Sequence, residues 1–380
     1  MQVQTVQYHP SSGWSATFPE LDSPRTLVVV FGGAGYMDEP GPVAQLCDAY
    51  PQSRIIGCST AGEICGDQLH DDSLVVAVAL FEHSDLNLAA SPVADAHASF
   101  ATGESIARQL DSDDLRAVFV LSDGLNVNGS ALAAGVNSVL DQDVVVTGGL
   151  AGDGDRFERT WVVHDGKPMT GWATAVGFYG NRVHFGHGSR GGWDIFGPER
   201  TVTRSEDNVL YELDGMPALD LYKKYLGERA EELPGSALLF PLSLRAGESD
   251  RNSFVRTILA VDEGQRSMTF AGDIPTGYRA QLMRANFDRL VDGAGCAAER
   301  GVSGTPALES GGALVIAISC VGRRLVLGER TEDEIEATLE VAGPAADQIG
   351  FYSYGELSPL TDGTCDLHNQ TMTITAITEG

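Results

Sequence analysis

Apolar residues fall into short continuous runs along the first part of the chain. T-L-V-V-V-F (26–31), R-I-I-G-C-S-T (54–60), S-L-V-V-A-V-A-L-F (73–81), R-A-V-F-V-L-S-D-G (116–124) and the segment 143–147 each read as a strand covered on both faces. Helical spacing occupies 41–50, opened by Pro42, and then 98–110 and 129–140. L-N-L-A-A-S-P-V (86–93) is expected to pair with 73–81. Strands that alternate with helices in this way predict a sheet buried under helices.

The pattern changes after Gly148. W-V-V-H-D-G-K-P (161–168) predicts a strand and a turn at Asp165-Gly166, with 171–179 returning as its antiparallel partner. Segments 182–189 and 200–205 extend an antiparallel meander. The second half predicts strands at 209–215, 236–242, 253–261, 267–271, 312–320 and 350–357. A helix is expected at 217–226, and another over 276–292 from the spacing of Leu282, Met283, Phe287, Leu290 and Val291. A charged helix follows at 331–341. The segment 370–377 alternates like a half-exposed strand. The expected fold is α+β: two domains, 1–202 and 203–380, each a helix-covered mixed sheet, with the antiparallel meander in the later part of the first. The boundary falls in the weak connection near 195–208. No residue-level repeat relates the two halves.

Composition narrows the function. At 380 residues, 43% of them hydrophobic, the chain can bury two cores. No segment approaches the roughly 20 apolar residues of a membrane span. The segment 1–17 lacks the basic end and apolar centre of an export signal. The net charge of −28, with Lys167, Lys223 and Lys224 the only lysines, argues against nucleic acid and anionic lipid. Cys47, Cys58, Cys65, Cys296, Cys320 and Cys365 form no C-x-x-C pair, which fits a reducing, cytoplasmic location better than a disulfide scaffold or zinc site.

The stretch G-C-S-T-A-G-E-I (57–64) concentrates candidate chemistry. It is one residue too long for a nucleophile elbow. It lacks the lysine of a phosphate loop, the nearest being Lys167. Cys58 or Ser59 as a nucleophile would need a base from elsewhere in the fold. His184 and His187 form H-x-x-H, but on a strand that spacing splits them between faces, so no metal site is expected. Recognition remains. Gly57 and Gly62 permit close approach to a ligand, their amides suit an anion, Ser59 and Thr60 offer hydroxyls, and Glu63 a carboxylate. Three further clusters offer comparable groups: Gly149 and Asp153 in G-G-L-A-G-D-G, Tyr354 and Glu356 in Y-S-Y-G-E-L, and His368 and Asn369 in L-H-N-Q-T.

These motifs, with E-L-D-G-M-P-A-L-D-L-Y (212–222) and C-V-G-R-R-L-V-L-G (320–328), occur in an order that resembles the FIST family of paired N- and C-terminal sensory domains. The resemblance covers nearly the whole chain. It implies a sensor and not an enzyme, with Gly57, Cys58, Ser59, Thr60, Gly62, Glu63, Gly149, Asp153, Tyr354, Glu356, His368 and Asn369 gathered in an inter-domain cleft. The alternative is an enzyme using Cys58 or Ser59. The resemblance further implies an amino-acid-like ligand, or the haem and nitric oxide of NosP-type sensors. A haem b would be held non-covalently, with His187 or His368 as candidate axial ligands. The implied partner is a separate histidine kinase or cyclic-nucleotide output protein.

Overall fold

A computed structural model describes every residue except 234, 248–252, 304 and 306–311. Three mixed sheets stand edge to edge around one apolar core. The period-two alternation of strands places their side chains. Leu27, Val29 and Phe31 of the first sheet point inward, as do Ala117, Phe119 and Leu121 of the second and Leu314, Ile316 and Ile318 of the third. Val28 and Val30 point outward to the helix Gly41–Ala49. Val118 and Val120 lie under the helices Ser99–Leu110 and Gly129–Asn137, and Val315 and Ala317 under Phe287–Val302 and Thr331–Ala342. This is why those strands read as unbroken apolar runs.

Each sheet is built by the same rule. A central strand runs through a covering helix into a parallel neighbour: Thr26–Gly32 into Arg54–Ser59, Leu115–Ser122 into Val145–Leu150, Ala313–Cys320 into Ala346–Ser353. The chain then leaves its own sheet and adds a hairpin to the next, and returns as an antiparallel strand on the other side of the central one. The hairpin Glu63–Cys65/Gln68–His70 joins the third sheet. Val162–His164/Lys167–Met169 joins the first, and Gly355–Pro359/Cys365–His368 the second. The exchange is cyclic, so the chain contains three interlocked units. The third unit carries an insertion: residues 194–284 form a further nine-stranded antiparallel sheet with its own core around Leu210, Leu219, Leu244 and Phe270.

Several expectations are corrected. Asp85–Pro92 pairs with Trp172–Tyr179, not with Leu74–Leu80, because it opens the second unit. Trp172–Tyr179 is therefore not the partner of the strand at 162–164, which crosses to the first sheet. Residues 235–239 form a 3-10 turn and the strand begins at Leu242, beyond Pro241, which cannot donate to a ladder. The helix expected from 276 starts at Phe287, where Asn286 caps the amide of Arg289, and Arg279–Arg284 is a strand paired with Leu242–Arg245. Met372–Glu379 is buried almost throughout, its threonines lying between two neighbouring strands. The repeat is threefold and resides in backbone register, which is why a comparison of two halves by residue identity misses it.

One residue type does repeat. Gly57, Gly148 and Gly350 stand opposite Val30, Val120 and Ala317 in the three parallel pairs. A Cβ at these positions would lie 2.2, 1.9 and 1.8 Å from the opposing carbonyl oxygen. Gly57 thus serves close strand packing. Gly350→Ala is expected to lower stability by about 4 kcal/mol or more, or to abolish soluble folding. Gly35→Ala, with nothing within 4 Å of its Cβ, should stay within about 1 kcal/mol of the parent. Chemical denaturation compares the two.

Candidate functional site

Where the three parallel pairs end, the chain turns toward the next sheet, and the turns bind one another. The Ala61 amide donates to the Tyr352 carbonyl at 2.8 Å, Tyr354 to Leu150 at 3.2 Å, and Gly152 to Ser59 at 2.9 Å. Position by position these are equivalent bonds, so they form a closed ring of three. The sequence motifs at 57–64, 148–154 and 350–357 are the three arcs of that ring.

Each arc buries a carboxylate. Glu63 accepts from the Thr60 hydroxyl and from the Ser73 amide and hydroxyl at 2.9 and 2.8 Å. Glu356, at the equivalent place, accepts from the Ser353 hydroxyl at 2.7 Å and from the Thr371 amide and hydroxyl at 3.2 and 2.8 Å. Burial pushes Glu63 up to about 7 and Glu356 to about 8. For Asp153 burial is outweighed by hydrogen bonds from Tyr354 and from the amides of Arg159, Glu158 and Phe157, which hold it below the usual range. These acids tie each arc to the start of a strand or to a loop.

The structure therefore places the sequence-predicted residues in two groups. Gly57, Cys58, Ser59, Thr60, Gly62, Glu63, Gly149, Asp153, Tyr354, Glu356 and Asn369 are buried in or beside the ring. Ser59 accepts from the Trp161 amide at 3.0 Å. The space beside Gly62 is filled by Arg324, which donates to the Ala61 carbonyl and grips Asp71 at 2.8 and 2.7 Å. Cys58 has 0% exposure, and burial together with Glu63 pushes its thiol up, away from the thiolate a nucleophile requires. Asn369 and the neighbouring Gln370 are fully enclosed, with both side-chain amides unpartnered among the described residues.

His187 and His368 belong to the second group, which faces a cleft of about 570 Å³. It opens between the third unit and the inserted sheet. Arg190, Arg289 and Arg300 line it; Trp193, Phe254, Met283 and Leu360 supply an apolar wall. No carboxylate is found among its described lining residues. His368 donates from Nε2 to the Ser358 carbonyl at 3.1 Å, so Nδ1 accepts from the Ser189 hydroxyl at 3.4 Å. His187 has no hydrogen-bond partner among the described residues. Burial lowers both histidines, so both are neutral near pH 7. Arg289 pairs with Asp194, and Arg300 reaches the Ser189 carbonyl at 3.5 Å, while Arg190 has no ion pair among the described residues.

Buried Arg323 fixes the cleft wall. It donates to Gly191, to Gln370 at 3.4 Å and to Leu290 at 2.8 Å, and forms a fork with Glu334 at 2.9 and 2.6 Å. Glu334 also accepts from Ser319 at 3.0 Å and from Tyr352 at 2.8 Å. Trp193 is held by the Gln370 carbonyl at 2.7 Å. The three arginines escaped sequence reading because they lie on two distant segments and no motif contains them. The one available signal was their coincidence with a chain otherwise rich in acid.

Comparison with known proteins assigns the family. The FIST N domain matches residues 26–216 and the FIST C domain residues 218–359, so the chain belongs to the FIST family. FIST domains are in general sensor domains of signal transduction. An uncharacterised protein of Methanocaldococcus jannaschii is 27% identical over 269 residues, 63% of this chain and 50% of that protein. The chain thus spans about half the length of that curated relative. Among solved structures, the cyanuric acid hydrolase from A. caulinodans superposes over 100% of this chain and 99% of its own, with a TM-score of 0.36 and 8% identity. So distant a likeness assigns no reaction. It does correct one expectation: the structural neighbour is an enzyme, and the exclusion of enzymatic activity drawn from the sequence does not stand. Among the described residues no helix is long and apolar enough to cross a membrane.

Two outcomes follow. The folded-state values of Glu63 and Glu356 lie above the ordinary 4.5, so their contribution to stability is complete below about pH 4.5 and is lost as pH rises through about 7 and 8. Relative to a Glu63→Gln/Glu356→Gln variant, the parent should lose on the order of 3 kcal/mol per carboxyl between pH 5 and 9 in urea titrations. An equal pH profile would refute the assignment. Arg323→Ala, which strands buried Glu334, should cost about 3–5 kcal/mol by the same measurement.

Proposed function

We infer that this chain is a sensor whose small-molecule ligand is an anion with an apolar body, bound in the arginine-lined cleft. The carrying observation is one of charge. In a chain with 53 acidic and 25 basic residues, three guanidinium groups share a cleft whose described lining holds no carboxylate. Such a wall is a local reversal of the molecule's field and attracts carboxylate or phosphate groups. Arginine binds these through two parallel N–H donors. The volume falls in the range of small-molecule sites.

The ammonium of an amino-acid-like ligand would need an acceptor here, yet Glu63, Asp153 and Glu356 are engaged in the ring. Haem b fits the cleft's donors better. Its two propionates match the arginines, Trp193, Phe254 and Met283 match its ring, and His187 offers an unengaged imidazole nitrogen. His368 is the weaker axial candidate because both its nitrogens hold partners. Bound haem would supply an iron able to take up a diatomic gas such as nitric oxide. The chain's own residues orient the ring, neutralise its propionates and restrict water. The Arg323 network joins the cleft wall to the helix Thr331–Ala342, giving occupancy a route toward an output protein, for which a histidine kinase or a cyclic-nucleotide protein is the partner implied by the family.

Haemin titration followed in the visible spectrum tests the haem form. A saturable Soret band that is lost or displaced in His187→Ala, kept in His368→Ala, and weakened at least about tenfold in Arg190→Ala/Arg300→Ala supports it. Haemin binding indifferent to all three variants would overturn it. The broader anion reading is tested by thermal shift with a panel of mono- and dicarboxylates: stabilisation that disappears in the double arginine variant supports it, and stabilisation by none of them, with no haemin binding, refutes it.

A further inference from the structure

The wall of the arginine cleft brings a hydroxyl and an imidazole together, and strand geometry explains how. On Val183–Arg190, Gly186 and Gly188 lie under the helix Phe287–Val302, where a Cβ would stand 1.8 and 2.1 Å from the carbonyl oxygens of Gly301 and Ala297. Alternation therefore turns His187 and Ser189 to the opposite face, toward the hairpin Gly355–Pro359/Cys365–His368. There the Ser189 hydroxyl meets His368 Nδ1 at 3.4 Å, and the bond from Nε2 to the Ser358 carbonyl at 3.1 Å orients the ring. Both residues line the cleft, and neither is fully buried. A hydroxyl, a base and a third group that fixes the base's tautomer are the parts of an activated nucleophile. Burial lowers His368 more than the neighbouring Asp366 raises it, and Arg256 and His187 act in the same direction as burial, so the imidazole is a neutral acceptor near pH 7.

The backbone beside Ser189 supplies donors. Val183–Arg190 is an edge strand. The Gly380 amide donates to the Arg182 carbonyl at 2.9 Å, so Val183 and Glu379 face each other without exchanging hydrogen bonds, and the unbroken register makes Ser189 and Thr373 another such pair. The Ser189 amide consequently points off the free edge. The amides of Gly191 and Gly192, also in the lining, donate to none of the described residues. Arg300 reaches the Ser189 carbonyl at 3.5 Å, and Arg190 follows Ser189 directly. The hydroxyl thus sits beside N–H groups suited to an oxyanion and guanidinium groups suited to a substrate carboxylate.

We propose that the cleft hydrolyses carboxylic esters whose acyl chain carries a free carboxylate, with Ser189 as nucleophile and His368 as general base. The inference rests on the anion-binding reading of the cleft. Ser189 gives its proton to His368 Nδ1 as Oγ bonds to the ester carbonyl carbon, and the carbonyl electron pair moves onto oxygen, which the edge amides hold. Collapse breaks the bond to the leaving alkoxide, which takes the proton from His368, and acyl-Ser189 remains. Water then passes a proton to His368 and attacks the acyl carbon, the acid departs, and the proton returns to Ser189. One ester and one water yield one acid and one alcohol.

The mono-4-nitrophenyl ester of glutaric acid, given to the full chain, tests this, with glutarate as the binding control in thermal shift. The expected result is saturable release of 4-nitrophenolate, lowered at least about 100-fold in Ser189→Ala and in His368→Gln. Arg190→Ala/Arg300→Ala should raise KM about tenfold. Acid-quenched parent should gain the mass of one glutaryl group, mapped to Ser189. Stabilisation by glutarate, kept in Ser189→Ala, shows that this variant is folded with its cleft intact. Unchanged hydrolysis in Ser189→Ala, a glutaryl group on another residue, or stabilisation of the parent by glutarate without nitrophenolate release overturns the inference and leaves the anion reading standing. Neither stabilisation nor release in the parent overturns both.

Discussion

Three backbone hydrogen bonds, Ala61 to Tyr352, Tyr354 to Leu150 and Gly152 to Ser59, close the architecture. Each joins the turn after one parallel pair to the strand end of another. Without them the hairpins that each unit lends to its neighbour would have no fixed entry angle, and the three sheets would not meet around the shared core of Phe31, Phe119 and Phe351. The ring also explains the polar residues around it. A backbone turn enclosed by three sheets cannot reach water, so hydroxyls and carboxylates from the same turns must satisfy its amides. Thr60 accepts from the Gly62 amide, and Glu63 and Glu356 accept from the amides of Ser73 and Thr371 at matching places.

That constraint separates structure from recognition. The residues that look most like a binding loop in the sequence are spent on the ring, and the arginine-lined cleft lies elsewhere. The insertion at 194–284 roofs that cleft and contributes Phe254 and Met283 to it. The helix Phe287–Val302 then brings Arg289 and Arg300 to the opening.

The sequence revealed the strands whose apolar runs are covered on both faces, and the helices between them, because burial by helices leaves an unbroken pattern. Thr26–Gly32 and Ala313–Cys320 were legible for that reason. The exchange of hairpins was not. Pairing Val162 with Cys58 links residues with no local signature, and chain proximity favours the wrong partner at 171–179. Of the proposed cleft, His187 and His368 were named from the sequence as candidate axial ligands, while Arg190, Arg289 and Arg300 were hidden among ordinary surface charges. The motifs at 57–64, 148–154 and 350–357, expected to line one ligand cleft, meet in the ring. Their shared role is mutual closure, and a turn that satisfies its neighbours has the same composition as one that satisfies a ligand.

With the ring sealed, the cleft proposed to accept anions is the place halide ions should find. An anomalous difference map from crystals soaked in bromide should show peaks among Arg190, Arg289 and Arg300, with none at the amides of Gly57 to Gly62. A bromide seated on those amides, with the arginines bare, would contradict it.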